Sequence, residues 1–334
     1  MEKIRTAVVG AGKMGAIHAK VYSQLDEAEL VAVVDIDKAK ADALAGQYGC
    51  RALTDYTQLI GLVDAVTISA PTVCHRDLAK AFMENKIAVM IEKPLAASVE
   101  EGKDIASCAA RHGVVVAVGH SERCNPVVQA MKRLEIEPKF IEANRISPYP
   151  FRSIDIGVVL DIMIHDIDII LSLAAGRIKK VDAVGVNVIA DHEDICNARI
   201  VFENGCIANI TASRLALKTE RKVRLFSGQA YLSLDYLRKE GVIIKAAPNV
   251  DIVQWIKQHQ QAQDMDFSNV NWPDILHIEQ LDIQDAEPLR VEQQAFLEAV
   301  SGKVSRPEVT AEEGLAALEC ADQILKSIRD HSWE

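Results

Sequence analysis

Three residues in this sequence have side chains suited to moving a proton: Lys93, Asp161 and His165. Lys93 follows a short apolar run, whereas Asp161 and His165 are four positions apart in a segment with helical periodicity, so both project from one helix face. A histidine titrates near neutral pH and suits a general base, and a lysine stabilises an oxygen that develops negative charge. We therefore predict that His165 takes a proton, that Lys93 holds the same oxygen, and that Asp161 binds a neighbouring hydroxyl or orients the imidazole.

The Asp161 and His165 pair also resembles part of a metal site. The sequence has no H-E-x-x-H motif and no third ligand at a suitable spacing. Metal-assisted hydrolysis is therefore the weaker alternative, and we predict no metal. Asp166 and Asp168, in the same segment, are predicted to support the structure.

A glycine-rich turn supplies a second functional signal. Gly10-Ala11-Gly12-Lys13-Met14-Gly15 directly follows the run Ile4–Val9 and opens a predicted helix, and Asp35 ends the next apolar run. Glycines there allow a tight turn and a close backbone approach to a pyrophosphate, which faces the helix N-terminus. Asp35 accepts hydrogen bonds from ribose hydroxyls and repels a 2′-phosphate, so the pattern predicts NAD rather than NADP. The predicted cofactor contacts here are Gly10, Gly12, Lys13, Met14, Gly15 and Asp35.

Further cofactor contacts are predicted where other apolar runs end. Ser69-Ala70-Pro71-Thr72 with His75 follows one run, Glu92-Lys93-Pro94 follows the next, and Gly119-His120 follows a third. Ligands of open parallel sheets bind outside the carboxyl ends of the strands, so these three ends should meet at one edge. The alternative role of His75 is that of a polar residue at a helix terminus. The alternative role of Glu92 is to support Lys93. The predicted contacts at this edge are Ala70, Pro71, His75, Glu92 and Lys93.

The elements that must position these residues change character along the chain. From residue 4 to 120, short β-branched runs alternate with helical stretches, which predicts a doubly wound parallel Rossmann sheet and an α/β domain over residues 1–120. Beyond it, segments with two-residue alternation and turns at Gly205 and Gly228 predict a C-terminal α+β domain, residues 121–334, with a large, mostly antiparallel open sheet. Residues 247–275 are predicted to form a long excursion. An open sheet face needs a cover, so we expect a homo-oligomer, a dimer or a tetramer.

Composition narrows the class of protein. The chain has 334 residues, 37 basic and 48 acidic side chains and a net charge of −11, so nucleic acid is an unsuitable partner. The start of the sequence lacks the pattern of a signal peptide, no apolar stretch reaches membrane-spanning length, and the seven cysteines include no C-x-x-C pair. A cytoplasmic location and reduced thiols are therefore expected.

These motifs together resemble the Gfo/Idh/MocA oxidoreductase family over nearly the whole chain. The resemblance is carried by G-A-G-K-M-G at Gly10, A-P-T-V-C-H at Ala70, E-K-P at Glu92 and D-I-M-I-H at Asp161. It implies that Lys93 lies beside the nicotinamide and the substrate hydroxyl, that Asp161 and His165 complete the site, and that the chain is an NAD-dependent dehydrogenase of a secondary alcohol. It also implies a cis bond before Pro94.

Three arginines give information about the class of substrate. Arg123, Arg145 and Arg152 border the predicted site, and guanidinium groups match phosphate oxygens, although each could instead pair with one of the many carboxylates. The stretch from Arg145 to Asp168 resembles the branch of the family that oxidises the 3-hydroxyl of UDP-N-acetylglucosamine, on the way to a 3-amino sugar of lipid A-type glycolipids. An inositol or free-sugar dehydrogenase is the alternative within the family. A non-catalytic NAD-binding regulator is a third reading, but it gives no reason for Lys93, Asp161 and His165 to occur together.

Overall fold

The computed structural model describes residues 3–149, 156–246 and 276–331. Contacts between Cα atoms divide the chain into two units. Unit 1 comprises Met1–Asn125, Val159–Leu171 and Ala286–Glu334, and unit 2 comprises Pro126–Val158 and Ser172–Asp285. The chain thus returns twice to unit 1 with segments that the sequence analysis assigns to the second domain. The excursion predicted at 247–275 lies outside the described residues.

The sheet of unit 1 consists of six parallel strands in the order β3-β2-β1-β4-β5-β6. Its strands are rich in β-branched residues and are largely buried, as expected for a parallel sheet covered on both faces. The strand order reverses between β1 and β4, and that point is where open α/β sheets bind their ligands. The predicted Rossmann sheet is confirmed. Its strands are β1 (Ile4–Val9), β2 (Ala28–Val34), β3 (Arg51–Leu53), β4 (Ala65–Ile68), β5 (Ala88–Glu92) and β6 (Val116–Gly119).

Helices connect these strands, and their ends carry recognisable caps. Asp37 accepts backbone bonds at the start of α2, Ser98 does so at the start of α4, and α2 ends at Gly49 with a φ of +67°. Thr310 and Glu313 form a capping box at the start of α8. The helices are α1 (Lys13–Tyr22), α2 (Lys38–Tyr48), α3 (His75–Glu84), α4 (Val99–His112), α5 (Pro126–Lys132), α6 (Ile164–Ala174), α7 (Pro288–Val300) and α8 (Ala311–Asp330).

Two apolar clusters lie in unit 1. One joins Ile68, Val89 and Ile105 with Leu318 of α8, and the other contains Phe296 of α7 among its buried residues. The C-terminal helices are therefore part of the Rossmann core. Within the described residues, the helices are all too short or too polar to cross a bilayer.

Unit 2 carries an eight-stranded sheet in the order β14-β13-β12-β11-β7-β10-β9-β8. Only the β7 and β10 pair is parallel, and the alternation of buried and exposed residues leaves one face open, so the predicted open sheet is confirmed. Gly205 turns the chain between β9 and β10 with a φ of +85°. The strands are β7 (Phe140–Ile146), β8 (Ile178–Val186), β9 (Ile195–Phe202), β10 (Ile207–Ser213), β11 (Glu220–Phe226), β12 (Ala230–Asp235), β13 (Glu240–Ala246) and β14 (Leu276–Gln280).

Candidate active site

The glycine turn after β1 has no space for a side chain at two of its positions. Gly10 has a φ of +104°, and a Cβ there would lie 2.7 Å from the carbonyl carbon of Ser69. A Cβ on Gly15 would lie 1.8 Å from the carbonyl oxygen of Gly10. At Gly12, in contrast, the Cβ position has no described atom within 4 Å. The N-terminus of α1, at Lys13, therefore opens onto a space where a pyrophosphate fits against backbone amides.

Asp35 stands directly beside this turn. Its Oδ2 accepts a 2.7 Å hydrogen bond from the backbone N–H of Ala11, and its Oδ1 accepts one of 2.9 Å from Asp37. These bonds hold the carboxylate at the edge of the glycine turn, where ribose hydroxyls of a dinucleotide would meet it. Lys38, the nearest cation in the sequence, forms an exposed ion pair with Asp42 instead. The residues present thus fit a dinucleotide without a 2′-phosphate.

His75 links two of the predicted strand ends. Its Nε2 lies 3.0 Å from the carbonyl oxygen of Ala70, and its Nδ1 lies 3.1 Å from that of Pro94. Burial lowers the pKa of His75, although both carbonyl bonds and the charge of Glu92 oppose this shift. The ring is 1% exposed and bonded to backbone, so the structure does not support direct contact with the cofactor. His75 instead ties the Ala70 turn to the chain after Lys93.

Glu92, the last residue of β5, supports the lysine that follows it. Its Oε1 lies 2.7 Å from Nε2 of His18 on α1, and its Oε2 accepts a bond of 3.2 Å from the backbone N–H of Lys93. Burial opposes ionisation, but the bond from His18 and the charge of Lys93 outweigh it, so the pKa of Glu92 lies below its ordinary value. Glu92 is therefore a buried carboxylate under Lys93, and the support role fits it better than direct contact with the cofactor.

Lys93 and Asp161 are brought together in unit 1. The Lys93–Pro94 peptide bond is cis, which confirms the prediction. Nζ of Lys93 donates to the backbone oxygen of Asp161 at 2.8 Å and lies 3.4 Å from its Oδ1. Both side chains keep part of their surface open, with 19% of Lys93 and 23% of Asp161 exposed. An ammonium group is thus held at the carboxyl end of β5, with accessible surface for a ligand oxygen.

The segment that carries Asp161 and His165 is not a regular α-helix. Residues Val159–Met163 form a π-helical turn, and α6 begins at the next residue. Such turns occur frequently at functional sites. The His165 ring packs edge to face against His120, at the end of β6, with 6.3 Å between ring centroids. All three predicted proton-moving residues therefore belong to unit 1 and lie on segments at the carboxyl edge of its sheet.

Both parts of the chain match the models of a known family. Residues 4–120 match the Gfo/Idh/MocA oxidoreductase family with its NAD-binding Rossmann fold, and residues 143–231 match the Gfo/Idh/MocA C-terminal domain. The chain belongs to the Gfo/Idh/MocA oxidoreductase family. Its cofactor is NAD, and its N-terminal Rossmann domain binds this cofactor.

Several members of the family are similar to this chain over most of its length. UDP-N-acetylglucosamine 3-dehydrogenase of Acidithiobacillus ferrooxidans is 35% identical over 71% of this chain and 75% of its own. A solved structure of that enzyme covers 99% of both chains with a TM-score of 0.88 at 29% identity. The NAD-dependent scyllo-inositol 2-dehydrogenase of Bacillus subtilis is 30% identical over 64% of this chain and 68% of its own. Family members of this kind oxidise sugar or polyol hydroxyls.

Two of the three arginines predicted to bind substrate are buried, and the third lies outside the described residues. Arg123 is 3% exposed, and its guanidinium donates to both carboxylate oxygens of Asp168, at 2.8 and 2.5 Å. The structure therefore does not support Arg123 as a substrate contact, because its donors already serve the helix that carries His165. Arg145 is 4% exposed on β7, so its side chain is likewise buried rather than open to a ligand. Arg152 lies outside the described residues.

A buried layer of polar side chains behind the family's lysine was missed by sequence reasoning. Glu292 of α7 is 3% exposed, and burial, followed by the charges of Glu92 and Asp168, raises its pKa well above the ordinary value. The pKa values of the two buried carboxyls are thus shifted in opposite directions, upward for Glu292 and downward for Glu92. The burial of Glu292 did have a signal in the sequence. Glu292 shares a helix face with Leu289 and Phe296, so the periodicity places it in the core.

Groups of three or more His, Cys, Asp or Glu that could hold a metal do not occur among the described residues.

Proposed function

We propose that this protein oxidises the 3-hydroxyl of UDP-N-acetylglucosamine to the 3-keto sugar, with NAD as the hydride acceptor. The contact of Nζ of Lys93 with Asp161, at the strand edge beside the dinucleotide turn, carries the proposal of alcohol oxidation. The UDP-sugar is supported by the 35% identity to UDP-N-acetylglucosamine 3-dehydrogenase. When bound, NAD would supply the acceptor for the hydride, and the Gly10 turn and Asp35 would hold it.

The residues of the chain divide the remaining work. Lys93 presents a positive charge to the substrate oxygen, and this charge stabilises the oxygen most when its proton leaves. His165 takes that proton as the general base. Asp161 fixes the ammonium of Lys93 through its backbone and carboxylate oxygens, and its exposed part binds a neighbouring hydroxyl. Glu92 and His18 hold the backbone of Lys93 from below.

An inositol or free-sugar dehydrogenase is the second candidate function. It uses the same lysine, aspartate and histidine, and it is favoured by the 30% identity to scyllo-inositol 2-dehydrogenase. The two candidates differ in the need for a diphosphate site, which only a nucleotide sugar requires.

A substrate panel tests these candidates. The purified protein is mixed with NAD and with UDP-N-acetylglucosamine, UDP-glucose, free N-acetylglucosamine or an inositol, and the absorbance of NADH is followed. We expect kcat/KM for UDP-N-acetylglucosamine to exceed that for each unphosphorylated substrate at least tenfold, on the order of 1.4 kcal/mol. Lys93→Ala is the control, because an activity that survives it does not come from this site. A higher kcat/KM for an inositol would favour the second candidate, and NAD binding without turnover would favour a regulator.

The preference for NAD is expected to depend on Asp35. Since its carboxylate repels a 2′-phosphate, NAD should bind at least tenfold more tightly than NADP, on the order of 1.4 kcal/mol. Calorimetric titration of both cofactors measures this ratio. Asp35→Ser should narrow this ratio of affinities, whereas Asp26→Ser, exposed in the turn before β2, should leave it unchanged. Equal affinities of the unaltered protein for the two cofactors would contradict the role of Asp35.

We further propose that the open face of the second sheet is covered by another copy of the chain. Phe226 is 40% exposed there and stacks between Phe140 and Tyr231, with ring centroids 5.8 and 4.8 Å away. Aromatic side chains are common at the centre of subunit interfaces. Light scattering of the purified protein measures the number of subunits, for which we expect two or four.

The state of the cysteines bears on the compartment of the enzyme, and the keto group bears on the fate of its product. All seven cysteines are thiols rather than disulfides, which suits the reducing cytoplasm where we propose that the enzyme works. A keto group at carbon 3 is the group that a transamination consumes. The product would therefore feed a 3-amino sugar of lipid A-type glycolipids.

A further inference from the structure

His120 lies between the residues of the proposed reaction but has no part in it so far. The register of β5 and β6 pairs Glu92 with Gly119, so the next residues, Lys93 and His120, follow neighbouring strand ends. The two strands approach closely, because a Cβ on Gly119 would lie 3.2 Å from Cα of Glu92. The ring of His120 then meets that of His165, at 6.3 Å between centroids and 89° between planes.

The hydrogen-bonding groups of His120 are available. The residue is 1% exposed, and neither ring nitrogen has a hydrogen-bond partner among the residues that the structure describes. A neutral imidazole has one donor and one acceptor, and leaving such a buried group unsatisfied costs free energy of folding. A histidine kept at this cost beside a predicted general base has capacity for an additional bond or proton.

The charges around His120 favour a neutral ring. Burial has the largest effect and lowers the pKa of His120. The negative charges of Asp168 on α6 and Glu92 on β5 raise this pKa, whereas the positive charges of Arg123, just beyond β6, and Lys93 lower it further. The ring is therefore neutral near pH 7 and able to accept a proton. The close pairing of Asp168 with Arg123 leaves neither charge free to hold an imidazolium on His120 permanently.

We propose that His120 receives, through one bridging oxygen, the proton that His165 takes from the substrate hydroxyl, so that His165 is restored for the next turnover. The inference rests on the proposed function. Oxidation removes a hydride from the substrate carbon, which goes to NAD, and a proton from its oxygen, which goes to His165. The His165 imidazolium then gives this proton across the bridging oxygen to neutral His120, and water that enters the site when the product leaves takes the proton from there. No other co-reactant is needed.

Three substitutions separate proton transfer from packing. His120→Phe keeps an aromatic ring against His165 but removes both nitrogens, His120→Gln keeps hydrogen bonding but does not titrate, and His120→Ala leaves space for added imidazole. We expect kcat to fall at least tenfold in all three, with unchanged KM and NAD affinity. Added imidazole should restore His120→Ala and should leave His120→Phe slow. His112→Phe, on α4, is the matched control and should keep the original rate.

A second readout needs neither substrate nor cofactor. Nitrogen NMR of the imidazole rings, with His120→Gln used for assignment, should show His120 neutral at pH 7 and titrating below its ordinary pKa of about 6.5. A charged His120 at pH 7 would overturn the proposal, as would His120→Phe and His120→Gln with the original kcat. These outcomes differ from failure of the proposed function, in which the unaltered protein oxidises no alcohol of the panel and the inference falls with it. If the unaltered protein prefers another alcohol, the variants are compared on that alcohol.

Discussion

Replacing His165 with alanine is expected to lower kcat on the best substrate roughly a hundredfold or more and to leave the affinity for NAD unchanged. In the proposed mechanism the base acts on the substrate proton, whereas the Gly10 turn and Asp35 hold the dinucleotide. Steady-state kinetics gives kcat, and fluorescence titration gives the dissociation constant of NAD. His112→Ala, on α4 of the same unit, is the matched control and should retain full turnover.

Lys93 should respond differently from His165, and the contrast tests the division of roles. Lys93→Ala removes a donor to the bound hydroxyl as well as the charge that stabilises the developing alkoxide, so KM should rise while kcat falls. If His165→Ala turns over at nearly the original rate while Lys93→Ala is inactive, His165 is not the base and Lys93 must take that role.

Asp194→Ala is expected to destabilise unit 2 by about 3–5 kcal/mol at pH 7, because it removes one partner of a buried ion pair. Asp194 and Arg214 are both fully buried, with 2.7 Å between Oδ1 and Nε. Oδ2 of Asp194 also accepts backbone bonds from Val188, Ile189 and Ala190. Hydrogen exchange of amides in β9 and β10 measures the loss within this unit.

The pH dependence of this loss has a defined sign. Burial opposes ionisation of Asp194, but its backbone bonds and Arg214 prevail and lower its pKa to about 2. A lowered pKa stabilises the fold above the unfolded value of about 3.9 and ceases to do so as the pH falls through the folded value. The difference between the original protein and Asp194→Ala should therefore be full at pH 7 and shrink between about pH 4 and pH 2.

Two further variants check the cause. Asp182→Ala removes a surface ion pair with Lys180 from the same sheet and should cost no more than about 1 kcal/mol. Adding Arg214→Met to Asp194→Ala should recover part of the stability, because the buried guanidinium that has lost its contact with Asp194 is then removed as well. A double variant as unstable as the single one would mean that the backbone bonds of Asp194, rather than the ion pair, stabilise this part of the sheet.

The fold was predictable wherever local pattern and tertiary environment agree. Helix α7, Pro288–Val300, is an example, because Leu289, Phe296 and Leu297 recur at helical spacing and are all buried. Strand β3, Arg51–Leu53, was missed since three residues are too few to show alternation. Strand β14, Leu276–Gln280, was missed because it is largely exposed and carries little apolar signal.

The site was predictable in its motifs and less so in its charges. Lys93 and Asp161 could be paired because each belongs to a motif with a required chemistry. The burial of Arg123 could not be predicted, because its partner, Asp168, is 45 positions away, and sequence alone does not reveal whether a guanidinium faces solvent or a buried carboxylate. The π-helical turn at Val159–Met163 likewise has no sequence signature distinct from that of an α-helix.

The two C-terminal helices impose an order of events on the chain as it leaves the ribosome. Phe296 and Leu297 belong to the same apolar cluster as Val8 and Val33, and Leu318 belongs to the other. Translation proceeds at about 5–20 residues per second, so the first strands leave the ribosome many seconds before Phe296, Leu297 and Leu318 are synthesised. During that interval the nascent sheet exposes apolar surface that the protein itself has no means to cover, and holdase chaperones bind surfaces of this kind.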